Sequence, residues 1–459
     1  MNIFIHRRDL RINDNTTINL LSKKHGDITP IFIFTPEQID PKKNEYFSNN
    51  LVQFMCESLT SLNSEYNKKK SRLNLFEGDI IDVLDEIKKT NNINSVGFNA
   101  DYSPYSKKRD NNIKNWCDKN DVSFFMKEDM LLVNVLNNKN YPNEKPYEIF
   151  THFANYQKKN YVVKKPSRNR PKFNDIKINN KYSIDIKNIN KFYKENKLIM
   201  CHGGRDNGEK KLADLRKQTK YAELRNNLDY ETTRLSPYIN LGIVSIREVY
   251  HKSVNLFGED SALVNELWWR DFFYNILHHH PYVVGSAMNE KFKNVKWDNN
   301  ELLFKKWKEG KTGFPIVDAC MNELNTTGFL HNRGRMVVAS FLTKHLFTDW
   351  KWGEKYFAQQ LIDCNVSANN GGWQWTASTG VDSHRTFYRV FNPWLQIAKF
   401  DEDCIYTKKW LPVLANIPNE HIKKWDKYYK QYKGKIDYPS PVVDHPTRRD
   451  YALKKLKSY

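Results

Sequence analysis

Residues 361–380 read LIDCNVSANNGGWQWTASTG, and the rest of the chain is organised around them. The stretch holds an acid, Asp363, then Asn365, Asn369 and Asn370, a Gly pair, and two Trp residues two positions apart. Gly371-Gly372 lets the backbone come close to something flat or crowded. Trp373 and Trp375 share a face if the chain is extended and diverge if it is helical. Such a segment is either well-packed aromatic core or the wall of a site for a flat ligand.

Outward from this stretch, nearly everything after His202 has helical period. Helix-like segments are Glu209–Arg225, Val264–His278, Leu302–Glu309, Phe314–Leu324, Asn332–Phe347, Trp352–Asp363 and Thr407–Leu414, with short Gly- or Pro-bearing breaks between them. Residues 201–459 therefore read as one large all-helical domain. Four groups in it could carry chemistry. In ETTRLSPY, Glu231–Tyr238, the hydroxyls of Thr232, Thr233 and Ser236 together with Arg234 suit phosphate oxygens. Ser236-Pro237 would equally make a helix N-terminus. In NELWWRDF, Asn265–Phe272, a helix puts Glu266, Trp269 and Arg270 on one face. That face is either a structural Glu–Arg pair against Trp or a wall between a cofactor and a base. In TGFLHNRGRMVVAS, Thr327–Ser340, a helix groups Asn332, Arg335 and Met336, with Arg333 pointing elsewhere and His331 placed to cap rather than to shuttle protons. Trp297, Trp350 and Trp373 are oxidisable indoles that are either core or an electron relay.

Residues 1–127 alternate apolar runs with amphipathic ones. Strands are expected at Ile3–His6, Thr29–Thr35, Leu73–Phe76, Ser95–Asn99 and Val122–Met126, with helices including Ser48–Tyr66 and Ile80–Thr90. This alternation predicts a parallel α/β sheet. No GxGxxG follows the first strand and no GxxxxGK[ST] occurs, which argues against a standard dinucleotide or P-loop site. Residues 128–200 read as an interdomain linker, with PSRNRPKFNDIKINNKYSID (166–185) as exposed connection and the aromatics of KPYEIFTHF (Lys145–Phe153) anchoring it to a domain surface.

A net charge of +20 suits a polyanionic partner, although runs of Asn and Lys also fit a coding bias. Six scattered Cys with no CxxC argue against a metal site and for a reducing compartment, cytoplasmic or nuclear. The N-terminal MNIFIHRRDL has too short an apolar run for a signal peptide, and no run long enough to span a membrane occurs.

Taken together these words closely resemble the photolyase/cryptochrome family, most of all the class I cyclobutane pyrimidine dimer photolyases. Residues 361–380 resemble its flavin-pocket segment, and ETTRLSPY its flavin-diphosphate loop. HRRDLRINDN (His6–Asn15) resembles its N-terminal signature, and FNADYSPYSKKRD (Phe98–Asp110) is also similar. The resemblance implies an α/β N-terminal domain and a helical FAD-binding domain that repairs damaged DNA with light, as a monomer. It assigns FAD contacts to Tyr221, Thr232, Thr233, Arg234, Leu235, Ser236, Arg270, Arg335, Asp363, Asn365 and Asn369. Damaged DNA would meet Arg225, Glu266, Trp269, Asn332, Arg333, Met336 and Trp375, and Trp297, Trp350 and Trp373 would relay electrons to the flavin. Asn369 favours repair over plant-type photoreception, where the family carries Asp. Asn332 and Met336 favour cyclobutane dimers over (6-4) lesions, where it carries His at both. A flavin photoreceptor and a (6-4) photolyase remain the alternatives.

The sequence departs from the family at Cys364-Asn365, where repair enzymes usually have Gly-Asp, at Phe329, which replaces a usual Trp, and across VDSHRTF (Val381–Phe387). The acidic contact that folate-binding members place near Ser106 is not found, so a second antenna chromophore, folate or deazaflavin, is an open expectation.

Overall fold

The computed structural model describes residues 1–135, 146–382 and 388–459. The five apolar runs near the N-terminus form strands β1 (Asn2–His6), β2 (Thr29–Phe34), β3 (Asn74–Glu77), β4 (Ser95–Asn99) and β5 (Ser123–Lys127). They make one parallel sheet in the order β3-β2-β1-β4-β5. β1, β2 and β4 are buried along their whole length, as strands covered on both faces require, whereas β5 at the edge is largely exposed. The covering helices are α1 (Thr16–His25), α2 (Asn49–Lys68), α3 (Ile80–Thr90) and α4 (Pro104–Lys119). Each starts on a side-chain cap, from Asn15, Ser48, Asp79 and Ser103 respectively.

Residues 166–185 are more than exposed connection. Backbone bonds Ile28–Lys172, Asn174–Ile28, Glu77–Tyr182 and Ile184–Leu75 tie them to the sheet, and Ile178 is buried. Before them, α5 (Phe150–Asn160) packs Phe153 against Phe272, so the aromatics of KPYEIFTHF do anchor the segment; its first residue lies outside the described residues.

The remaining chain is helical. The helices that matter below are α6 (Ile246–Phe257), α7 (Ala262–His279), α8 (Pro315–Thr327), α9 (Asn332–Ser340), α10 (Trp350–Gln360), α11 (Val366–Ala377) and α12 (His445–Lys457). Two expected helices break. Residues 209–225 fall into a helix at Arg205–Ala213, a tight turn at Asp214–Lys217 and one turn at Tyr221–Leu224. The break follows from Gln218, which donates to Glu231 O and accepts from Tyr230 OH, pulling the chain onto the 230–231 loop. The helix read as 332–347 ends its α-helical part at Ser340 and continues as a π-turn over Phe341–His345.

A buried ion-pair network joins sheet and helices. Arg247 on α6 binds Asp14 and Asp129, and Arg11 binds Asp129 and the Gly242 carbonyl. Arg8 reaches Asn240 on the helical side. The two regions are thereby held in one register.

Candidate functional site

The 361–380 stretch turns into α11, so its two Trp residues diverge. Asn365 starts the helix by accepting from the Ala368 N–H at 3.1 Å. Trp373 is 3% exposed and packs in the helical core; Trp375 is half-buried, with the Arg389 guanidinium 5.7 Å over its ring. The two glycines do different jobs. A Cβ on Gly371 would stand 2.1 Å from the Phe273 ring, so the helix packs there by backbone. A Cβ on Gly372 would meet nothing within 4 Å, because Gly372 lines an open cavity.

That cavity, about 580 Å³, lies between α7, α9, α11 and the 221–236 segment. All the residues singled out above line it except Trp297 and Trp350. One end is rich in hydroxyls and cations. Thr232, Thr233 and Arg234 come from a loop in which Arg234 adopts a left-handed φ of 49°, a strained conformation for a non-Gly residue of the kind found at binding sites. Ser236 is not a cap. Its hydroxyl donates to Asp363 at 2.6 Å, while the short helix that follows has no side-chain cap bond. Arg335 donates to both Asp363 oxygens, at 3.0 and 2.9 Å, and to the Leu330 carbonyl at 2.8 Å. Asp363 thus clamps α9 to the 232–236 loop. Its carboxylate is satisfied, and the arginine is aimed.

On α7 the pairing differs from the Glu–Arg pair the helical face offered. Glu266 pairs with Arg225, and Arg270 instead donates to the Met130 carbonyl at 2.7 Å and lies over Tyr274. The reason is reach: Arg225 comes from a separate segment that closes over the face of α7. Burial raises the Glu266 pKa, and Arg225 opposes that rise. Trp269 stacks on Phe150 with centroids 3.7 Å apart and planes 6° from parallel. On α9, the Asn332 side-chain amide lies 3.8 Å from the Met336 sulfur. Arg333 does not point away. Its long side chain donates to Asn226 at 2.8 Å, lies over Phe400 and lines the cavity. His331 caps α9, accepting from the Arg333 N–H at 3.1 Å. Burial, and then Arg335 and Arg333, push its pKa down to about 4, so it stays neutral at neutral pH.

Asn369 lines the cavity and donates to the Glu354 carbonyl at 2.9 Å. Asn365 uses its polar atoms on the helix start, Ser367, Asn240 and the Tyr274 hydroxyl. Phe329 is buried under the Arg335 guanidinium. Of VDSHRTF, only Val381 and Asp382 are among the described residues. Near Ser106, where no acidic contact was read, the Asp101 carboxylate accepts from the Ser106 hydroxyl at 3.0 Å.

The three relay candidates run outward. Trp373 borders the cavity, Trp350 is 2% exposed at the start of α10, and Trp297 is partly exposed on Phe347. A Cβ on Gly353 would come 2.1 Å from the Trp373 ring, so that indole lies directly on the backbone of the helix that bears Trp350. The sequence reading missed Ile239, Asn240, Phe273 and Phe357, which also line the cavity. Helical spacing could have found three of them, since 239 and 240 follow Ser236, and 273 follows Trp269, at three or four positions. Among the described residues, no cluster of His, Cys, Asp and Glu could hold a metal ion, and no helix is long and apolar enough to cross a membrane.

Comparison with known proteins agrees with this geometry. Residues 2–172 match the DNA photolyase family model, and residues 263–458 match the FAD binding domain of DNA photolyase. The deoxyribodipyrimidine photo-lyase of Buchnera aphidicola from Acyrthosiphon pisum is 34% identical over 99% of this chain and 96% of its own. That of Escherichia coli is 41% identical over 48% of each chain. Among solved structures, the archaeal photolyase from Sulfolobus tokodaii with two FAD molecules superposes with a TM-score of 0.88 at 36% identity, covering all of both chains. The Synechocystis cryptochrome superposes with a TM-score of 0.89 at 25% identity, covering 99% of this chain and 98% of its own.

Proposed function

The chain belongs to the DNA photolyase family, and from that premise we propose that it repairs cyclobutane pyrimidine dimers in DNA with light, using FAD held between α7, α9 and α11. The observation that carries this reading is the cavity itself. It has a hydroxyl- and arginine-rich end, an open surface at Gly372 where a Cβ would intrude, and an aromatic and amide end at Trp269, Trp375, Asn332 and Met336. These features fit a dinucleotide with a flat ring. Thr232, Thr233, Arg234, Leu235 and Ser236 would hold the diphosphate, with Tyr221, Arg270, Arg335, Asp363, Asn365 and Asn369 around the rest. When bound and illuminated, reduced FAD supplies an electron to the dimer and recovers it after the ring bonds split.

The protein's own groups bind, orient and desolvate. Trp269 and Trp375 offer flat walls to a flipped dimer, which is cheap to extrude because its bases already pair poorly. Glu266, Asn332 and Met336 contact the base edges. Arg225 and Arg333 neutralise phosphates, so binding weakens as salt rises. Asn332 beside Met336 is the observation that favours cyclobutane dimers. Trp297, Trp350 and Trp373 pass electrons inward from the surface. Residues 1–127 form the antenna-type domain, 128–200 the linker and 201–459 the catalytic domain. The protein acts as a monomer in a reducing compartment, cytoplasm or nucleus, a reading supported by its six free cysteines.

The test is repair of a cyclobutane thymine dimer in a short oligonucleotide by reduced protein, in light and in dark. Light-dependent return of intact thymines is expected. Bound FAD without repair would overturn the assignment in favour of a photoreceptor or a (6-4) substrate.

A further inference from the structure

The surface end of the tryptophan series is covered. Helix α12 lies across it, fixed by the contact between His345 Nε2 and His445 Nδ1 at 2.7 Å and by Arg448 Nε donating to the His345 carbonyl at 2.6 Å. Ala452 and Leu456 bury their side chains in the small apolar cluster against which Trp297, Tyr451 and Tyr459 pack. Phe347 sits between the two rings of interest, 4.9 Å from Trp297 and 5.5 Å from Tyr451 by centroid. The residue after Trp297 is Asp298, held by its backbone N–H to the Phe347 carbonyl at 2.9 Å. The Tyr451 hydroxyl donates to Asp298 Oδ1 at 2.7 Å.

A tyrosine hydrogen-bonded to a carboxylate, packed in one cluster with an oxidisable indole, has the parts of a proton-coupled electron donor. We propose that Tyr451 is the terminal donor of the relay, giving an electron to oxidised Trp297 and its phenolic proton to Asp298. This rests on the relay reading of Trp297. The step balances. Trp297, having lost one electron inward, regains one from Tyr451. The O–H bond of Tyr451 breaks, its proton forms an O–H bond on Asp298 Oδ1, and the products are neutral indole, a neutral tyrosyl radical and a carboxylic acid. A thiol in solution then returns a hydrogen atom to the tyrosyl, the thiyl radicals couple to disulfide, and Asp298 releases its proton to water.

The surrounding charges favour this route over a simple electron hop. Arg448 lies 4.3 Å over the Tyr451 ring and Lys455 5.6 Å from it. Two cations so close oppose positive charge on the ring, so the oxidised phenol is held only once its proton has left. Arg448 also binds Asp298 Oδ2 at 2.8 Å, which keeps that carboxylate ionised and oriented. The hydrogen bond to Asp298 raises the Tyr451 pKa, so the proton is in place at neutral pH. Tyr459 lacks this arrangement: its hydroxyl accepts the Lys296 N–H at 2.9 Å, a contact that takes no proton from it.

The experiment is time-resolved optical and electron paramagnetic resonance spectroscopy of the FAD-loaded protein, alongside titration of the ligand-free protein. In the wild type a tyrosyl signal should grow as the tryptophanyl signal decays. Tyr451→Phe should remove it and leave a longer-lived tryptophanyl radical. Asp298→Asn should slow its growth roughly tenfold or more, the effect of losing a positioned base. In the ligand-free protein, Asp298→Asn should lower the phenol titration that Tyr451→Phe abolishes. A tyrosyl signal that survives Tyr451→Phe, or a tryptophanyl radical at Trp297 that never yields one in the wild type, would overturn the proposal. Trp297→Phe separates the two readings: loss of all surface radicals supports the relay, whereas unchanged radical yield sinks the relay and this step with it.

Discussion

Arginine meets carboxylate at two places in this molecule, with opposite results. At the C-terminal ends of β1 and β4, where the strand order of the sheet reverses and open α/β folds commonly bind a ligand, Arg7 lies across the gap. It binds the Asn99 carbonyl and Asp110, while His6 contacts Asp9 and Tyr66. At the cavity, Arg335 grips Asp363 just as firmly, yet both still border open space, because α11 presents Gly372 rather than a side chain beside them. The chemistry of the pair is the same. Whether it becomes brace or binding site depends on what the neighbouring backbone leaves unfilled.

The strongest way to break the comparison is to cut the brace. Arg247→Ala would leave Asp14 and Asp129, both buried, without their cation; burial raises the Asp129 pKa, and Arg11 and Arg247 together hold it down at about 2. A loss of roughly 3–5 kcal/mol is expected, the usual cost of stranding a buried charge, read as a lower midpoint of denaturant unfolding. The glycine pair tests the cavity side. Gly371→Ala should cost about 1–3 kcal/mol by forcing Phe273 aside. Gly372→Ala should keep or gain stability, since Ala suits a helix better by about 1 kcal/mol, while weakening FAD binding. If both variants bound FAD equally well, Gly372 would not face the cofactor.

How far this was legible in the sequence follows from the same physics. Strands buried on both faces write themselves as apolar runs, which is why 95–99 and the helix at 80–90 fall where periodicity puts them. The exposed edge strand, β5, is displaced by one residue from its expected range. The cavity lining was legible through local words, because its polar residues cluster on single helix faces. Partners from distant segments were not. Nothing in NELWWRDF shows that Arg225 rather than Arg270 takes Glu266, or that Phe150 stacks on Trp269. Arg333 misled because a Cβ direction does not fix where a long side chain ends. The π-turn at 341–345 left no mark in the apolar pattern.

Smaller effects sharpen the contrast. Asp363→Asn removes the charge that Arg335 and Ser236 share, without changing shape. Charge-assisted bonds are about twice as strong as neutral ones. FAD affinity should therefore fall roughly tenfold, about 1.4 kcal/mol, with little change in fold by circular dichroism. Equal affinity in the variant would mean that the clamp does not shape the site.

The smallest effect is a pH dependence at the edge of the cavity. His331 is buried, its Nε2 has no partner, and its pKa falls from 6.5 to about 4. Between those values the unfolded chain binds the proton and the folded one does not, so stability falls as pH drops through that window. Asn in its place could still cap α9 through its side-chain oxygen but does not titrate. His331→Asn should therefore match the wild type at pH 7 and exceed it at pH 5, by on the order of 1 kcal/mol in denaturant unfolding. A constant difference at both pH values would mean that the imidazole takes up its proton without leaving its place. The cavity edge would then tolerate a charge that the braced end of the sheet accommodates only in pairs.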